Sequence, residues 1–443
     1  MQFPFIWPGL VDMKKTLLNT LLASSFGLFS LQISAADLQE IYQLATQKDP
    51  TVLRAAASRD RAARGIDVSR ASLLPSITAS ASFGRNDSSS YGLDAPNANS
   101  ASISLAQSLF DWGRWERLNR AEQVALQVQT AYDSEVQNLI VRVTNTYFDV
   151  LSAVDDLGFA QAEKRAIERQ LEQTKQRFAV GLTAITDVHE AQAQYDSAVA
   201  REIAAENELE NAREFLREIT GQYHESLASL NTDKFSPGTP SPSQVQDWVK
   251  LAQDNNLTLK SQRVLLDIAD KDITLAETGH YPTLSLSAEL GTGKVSGMDR
   301  SESSSAGISL AVPIYSGGGV NAEVEVAKAN YVEVSQTVEL NHRAVIRQVR
   351  SSFNGVNAQI SSIKALEQAV VSAESALNAT ETGFEVGTRT IVDVLQSTRN
   401  LFEARRNLSG ARYNYIVTML QLKQAAGNLS EQDLMAVNQA LTN

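Results

Sequence analysis

Two aspartates stand at matching places in two copies of one stretch. Phe178 to Val188 reads Phe-Ala-Val-Gly-Leu-Thr-Ala-Ile-Thr-Asp-Val, and Phe384 to Val394 reads Phe-Glu-Val-Gly-Thr-Arg-Thr-Ile-Val-Asp-Val. Asp187 and Asp393 are thus 206 residues apart, each six residues past a glycine. A carboxylate just past a bend suits a helix N-cap or first turn, where the helix dipole favours negative charge. No pair of residues has catalytic spacing, and the acidic residues fall on helix surfaces, so an enzyme is not expected. The four histidines (His189, His224, His280, His342) show no metal-ligand spacing, and there is no cysteine. Disulfides, thiolate metal sites and an N-terminal lipidated cysteine are excluded, and no cofactor is expected. A net charge of -12 argues against nucleic-acid binding, which needs basic patches.

The elements that hold these carboxylates are long helices. Gly181 and Gly387 lie between proline-free runs, and glycine reaches the left-handed conformation that ends a helix at no steric cost. Thr183 and Thr186, or Thr388 and Thr390, are candidate caps for the helix that follows. The pattern is helical from about Gly113 to Val180, on the order of 100 Å, and returns from Ala184 to Thr220. Val136, Ile140, Val143, Tyr147, Val150, Val154 and Leu157 alternate at spacings of four and three, a coiled-coil seam. Ala327, Tyr331, Val334, Val338, Asn341 and Val345 form a second seam. Between short helices and these hairpins the period switches to two, which predicts strands near residues 74–84, 102–110, 281–291 and 307–315, joined by polar loops over 85–99 and 292–303.

The matches between halves keep an offset near 206, the mark of a duplication. The expected organisation is an upstream extension and signal peptide over 1–36, a first repeat over 37–230, a linker over 231–243, a second repeat over 244–426 and a tail over 427–443. Met13-Lys14-Lys15, the apolar run Leu17 to Leu31 and Ser34-Ala35-Ala36 have the order of a secretory leader, with Met1 or Met13 as start. No later window offers the roughly 20 apolar residues of a spanning helix. Four strands cannot close a barrel alone, and open edges are not tolerated in lipid. The chain therefore either uses its strands in a soluble sheet, as a periplasmic coiled-coil adaptor or structural protein would, or oligomerises to complete a barrel. Three copies would supply about twelve strands.

Gly387-Thr-Arg-Thr-Ile-Val-Asp-Val-Leu, Ala411-Arg-Tyr-Asn-Tyr and Leu429-Ser-Glu-Gln-Asp-Leu closely resemble the TolC family of outer-membrane efflux proteins. Arg177-Phe-Ala-Val-Gly-Leu and Ala184-Ile-Thr-Asp-Val match the family's first tip. The resemblance covers essentially the whole mature chain. It implies a mainly α protein with membrane β: a homotrimer in the outer-membrane lipid, with a twelve-stranded barrel on a helical periplasmic tunnel. It also implies a passive exit duct for drugs, small molecules and type I secreted proteins. Partners implied are a periplasmic adaptor and an inner-membrane RND, ABC or MFS pump. Carried over residue by residue, the constriction maps to Asp393 and Gln396, and the gate-closing network to Arg389, Asp187, Thr186, Gln170 and Phe384. Gln396 departs from the aspartate, and Phe384 from the tyrosine, of the best-known member. Without a hydroxyl, Phe384 cannot donate to Asp187. The adaptor-docking tips map to Val180, Gly181 and Leu182, and to Val386, Gly387 and Thr388.

Overall fold

The computed structural model describes residues 35–85, 97–232, 234–296 and 298–442. The expected leader, apart from Ala35 and Ala36, and most of the loop over 85–99 lie outside them.

Two short helices open the chain, α1 (Leu38–Lys48) and α2 (Pro50–Ala71). Asp37 starts α1 in a reciprocal box with Glu40. Asp49 starts α2, accepting from Thr51 N at 2.7 Å and Val52 N at 3.0 Å, with Pro50 where a missing N–H costs nothing. Strands β1 (Ser76–Arg85) and β2 (Asn97–Phe110) lead into α3 (Trp112–Ala179) and its return, α4 (Ile185–Thr220). After the short β3 (Ser229–Leu230) the program repeats. It runs through α5 (Val245–Asn255), α6 (Leu257–Glu277), β4 (Thr283–Val295), β5 (Ser301–Ala311), α7 (Gly319–Glu385) and α8 (Ile391–Ala426). The tail holds α9 (Glu431–Asn438) and β6 (Leu441–Thr442), which pairs with β3. This pairing of the tail with the residues after α4 is two residues long, too short for an alternating pattern to mark it in the sequence.

The four long strands form one antiparallel sheet in the order β1-β2-β4-β5. Several expected boundaries move. β2 begins at Asn97 and not near 102. β4 runs to Val295 and β5 starts at Ser301, so the two strands take up most of the expected 292–303 loop. β5 ends at Ala311 and not near 315, because Pro313 has no N–H for a ladder. Alternation gives the sheet two unlike faces. On one, Ile77 opposes Leu105, Ala79 opposes Ile103 and Ile103 opposes Leu290. On the other, Ser80 meets Ser102 at 2.9 Å and Ser82 meets Ser100 at 2.7 Å, continuing through Ser285 opposite Ser309. Both faces are exposed in a single chain; Ile77 is 71% and Ile308 66% accessible.

The main core lies midway along the hairpins, where α1, α5 and α9 pack around α3, α4, α7 and α8. Tyr147 is fully buried and donates to Ala228 O at 2.7 Å; burial pushes its phenol far up. Phe148 stacks on Tyr413 with centroids 5.3 Å apart, and Tyr413 donates to Asp155 Oδ2 at 2.7 Å. The first seam is buried from Ile140 to Val150 but leaves it at Val154, which is 43% exposed. There the buried positions become Leu151, Ala153 and Ala160. A straight helix of 3.6 residues per turn drifts off a strict heptad stripe by about 20° per heptad, and a long helix shows it.

Candidate functional site: the hairpin tips

Both tips are built by the same backbone device. Gly181 and Gly387 take φ of 77° and 79°. Leu182 N donates back to Arg177 O at 2.8 Å and Gly181 N to Phe178 O at 2.9 Å; Thr388 N to Gly383 O at 2.8 Å and Gly387 N to Phe384 O at 3.2 Å repeat the pattern. This crossed pair satisfies carbonyls that a helix end leaves free. The six expected docking residues crown these turns, with Val180, Leu182 and Val386 about 70% accessible.

The returning helices start differently. Thr390 caps α8 in a reciprocal box: Asp393 N donates to Thr390 Oγ1 at 3.3 Å, and Asp393 Oδ2 accepts from Thr390 N at 2.9 Å and Thr390 Oγ1 at 2.9 Å. The Thr390 N–H, then its hydroxyl, and more weakly the Arg389 charge hold the Asp393 carboxyl below the usual carboxylate range. α4 starts at Ala184 with no side-chain cap. Neither Thr183 nor Thr186 serves as the expected cap, because Thr183 Oγ1 donates to the Asp187 carboxylate and Thr186 is exposed inside the first turn. Thr388 is also no cap; its hydroxyl closes the turn by donating to Gly383 O at 3.1 Å.

Below the tips an apolar cluster fastens the two hairpins together. It holds Ile167 and Leu171 of α3, Ala191 and Ala198 of α4, Phe384 of α7, and Ile391, Val394 and Leu395 of α8. Phe384 is 7% exposed, and the Arg177 guanidinium lies 4.8 Å over its ring. Arg399 donates to Gln194 Oε1 at 3.2 Å, a second polar tie between hairpins. Gln396 is engaged along its own helix, donating to Asn400 Oδ1 at 2.8 Å and accepting from Arg399. Gln170 Oε1 is buried with no hydrogen-bond partner among the described residues. Among the described residues, Arg389 makes no ion pair with Asp187 inside one chain. The structure therefore brings Phe384 into the cluster and Asp393 to Thr390, and leaves Arg389, Thr186 and Gln170 unlinked to Asp187. The Thr390-Ile-Val-Asp spacing announced the box; nothing in the sequence announced Arg177 over Phe384 or Arg399 on Gln194.

Comparison with known proteins is decisive for this architecture. The model of the outer membrane efflux protein family matches residues 41–222 and 248–428, one stretch per repeat. The chain belongs to that family. It is 45% identical to the outer membrane protein TolC of Vibrio cholerae, covering 96% of this chain and 99% of that one. With TolC of Escherichia coli it shares 44% over 97% of this chain and 90% of that one. The alkaline protease secretion protein AprF of Pseudomonas aeruginosa is 30% identical, over 93% and 89%. A solved structure of CusC superposes with a TM-score of 0.77 at 16% identity, covering 90% of this chain and 96% of that one, a likeness of fold. Like other members of the family, the chain is an outer-membrane efflux and secretion channel, with its helical part in the periplasm. Membership and the exposed apolar sheet face stand against the soluble coiled-coil alternative. No helix among the described residues is long and apolar enough to cross a membrane.

Proposed function

We propose that three copies close one barrel and one tunnel, and that the duct exports drugs, small molecules and type I secreted proteins handed over by an inner-membrane RND, ABC or MFS pump through a periplasmic adaptor. The observation that carries this is the sheet. It has an apolar face for lipid, a serine face for water, and unpaired β1 and β5 edges that hydrocarbon does not tolerate. Joining β5 of one copy to β1 of the next removes every edge. The adaptor meets the tips at Val180-Gly181-Leu182 and Val386-Gly387-Thr388, where the apolar side chains are about 70% accessible, without cover among the described residues.

The tips also carry the gate. Three copies of Asp393 form a carboxylate ring at the periplasmic mouth, with Gln396 a turn further in as a neutral second ring. A ring of carboxylates favours cations. Among the described residues Arg389 makes no ion pair within its own chain, so the closing link it makes to Asp187, with Thr186 and the unsatisfied Gln170 beside it, runs between copies. Phe384 contributes by packing and not by a hydroxyl. Purified chain in detergent should have three times the monomer mass and form cation-selective channels in planar bilayers. A monomer that forms no channel would sink the reading.

A further inference from the structure

The internal repeat makes each half a template for contacts the other half lacks in a single chain. α6 packs against α7 of its own repeat and also against α3 of the other. Its counterpart α2 packs against α3 but buries only Val52, whereas α6 buries Leu259, Ser261, Ile268 and Ala269. The open flank of α2 borders a groove lined by Arg54, Ser58 and Arg61 and, from α3, Tyr132 and Glu135.

Within each helix pair the two repeats keep one register, 207 residues apart along α2 and α6 and 206 along α3 and α7. Asp49 and Asn256 are equivalent helix caps, 207 residues apart. Val143 and Val349, 206 residues apart, are both fully buried. On this register the contact of α6 with α3 has a counterpart of different chemistry. Gln127 Nε2 donates to Ser261 Oγ at 3.1 Å; Ser261 corresponds to Arg54 and Gln127 to Glu333. Arg120 donates to Asp272 Oδ2 at 3.3 Å; those positions become Val326 and Gly65. A neutral polar pair is thus replaced by opposite charges, and an ion pair by a side chain facing a residue with none. Arg54 and Glu333 are both exposed and, among the described residues, neither has an ion-pair partner in its own chain. Val326 is 70% accessible, and the space beside Gly65 is empty.

We propose that α2 of one copy seats against α7 of the next, with Arg54 paired to Glu333 and Val326 laid over Gly65. This rests on the trimeric reading above. Glu333 lies roughly 80 Å of helix from the Gly387 tip, at 1.5 Å per residue, so the pair fixes neighbouring copies in register without touching the gate. An ion pair that becomes enclosed between two helices specifies alignment more than it adds stability.

The test uses the full chain in detergent, whose lack of cysteine gives a clean background. The mass of the unaltered chain is measured first; a mass other than a trimer's refutes the trimeric premise and is a separate failure. Given a trimer, R54C/E333C treated with a short bifunctional thiol reagent should become a covalent trimer, while neither single variant does. R54E and E333R should each lower the temperature at which the trimer dissociates, and R54E/E333R should recover at least half of that loss. Single-channel conductance should be unchanged in the double reversal. A stable trimer that neither cross-links in the cysteine pair nor recovers in the charge swap overturns the inference.

Discussion

At Asp393 a single side chain has two tasks. Inside one chain it closes the Thr390 box; in the assembly it is one member of the proposed carboxylate ring. Its depressed pKa has a direct consequence for pH. Ionisation is retained below the usual carboxylate range, so the cap's contribution to α8 is fully present above the unfolded-state pKa and fades as pH falls through the lower folded value. Thr390→Val removes the hydroxyl partner, so the pH midpoint of cation preference should move up, read as reversal potential against pH. Asp393→Asn should abolish most of the cation preference and of the block by multivalent cations. Unchanged selectivity in that variant would make Asp393 a helix-start residue alone. The two roles of this aspartate were open in the sequence, because one spacing serves both. The Arg177–Phe384 contact was not legible: they are more than two hundred positions apart, and only packing of two hairpins brings a guanidinium over that ring.

Elements were the most legible level. Long helices, both glycine bends and the switch to a two-residue period all follow from local pattern. Strand ends did not, since Ser, Gly and Glu in residues 292–303 read as loop until a partner strand supplies their hydrogen bonds. Glycines at element ends give contrasting predictions. Gly181 has φ of 77° but open space around it, so Gly181→Ala should cost about 1–2 kcal/mol of local strain and leave the body's melting temperature nearly unchanged. Gly427 has φ of 76°, and a Cβ there would lie 2.5 Å from Asn255 O and 2.6 Å from Asn256 N. Gly427→Ala should cost about 2–5 kcal/mol and lower the melting temperature visibly in calorimetry. Phe384→Ala empties the cluster that joins the hairpins and should cost about 3–5 kcal/mol. Its signature is a raised resting conductance, because hairpins no longer fastened together spread more easily.

For the molecule as a whole, the repeat is what would turn one chain into a third of the proposed ring. Each half supplies a strand pair and a helical hairpin, and the joints within a chain foreshadow those between chains. Leu182→Ser keeps the first turn and removes an exposed apolar side chain, worth about 1–3 kcal/mol if the adaptor buries it. Cross-linking to a co-expressed adaptor should fall, and undiminished cross-linking would argue against docking there. The sheet order also sets a timetable. β2 ends at Phe110 and β4 begins at Thr283, so the central strand pair closes only after the whole first hairpin and α5 and α6 have been synthesised. Contacts so distant in sequence form late, because loop-closure entropy is met before they reward it. The hairpins, whose contacts are local, collapse first in the aqueous periplasm. The strands, with one face apolar and their edges unpaired, can enter lipid only once neighbouring chains of the proposed trimer give them edges to join, and insertion becomes the final act of assembly.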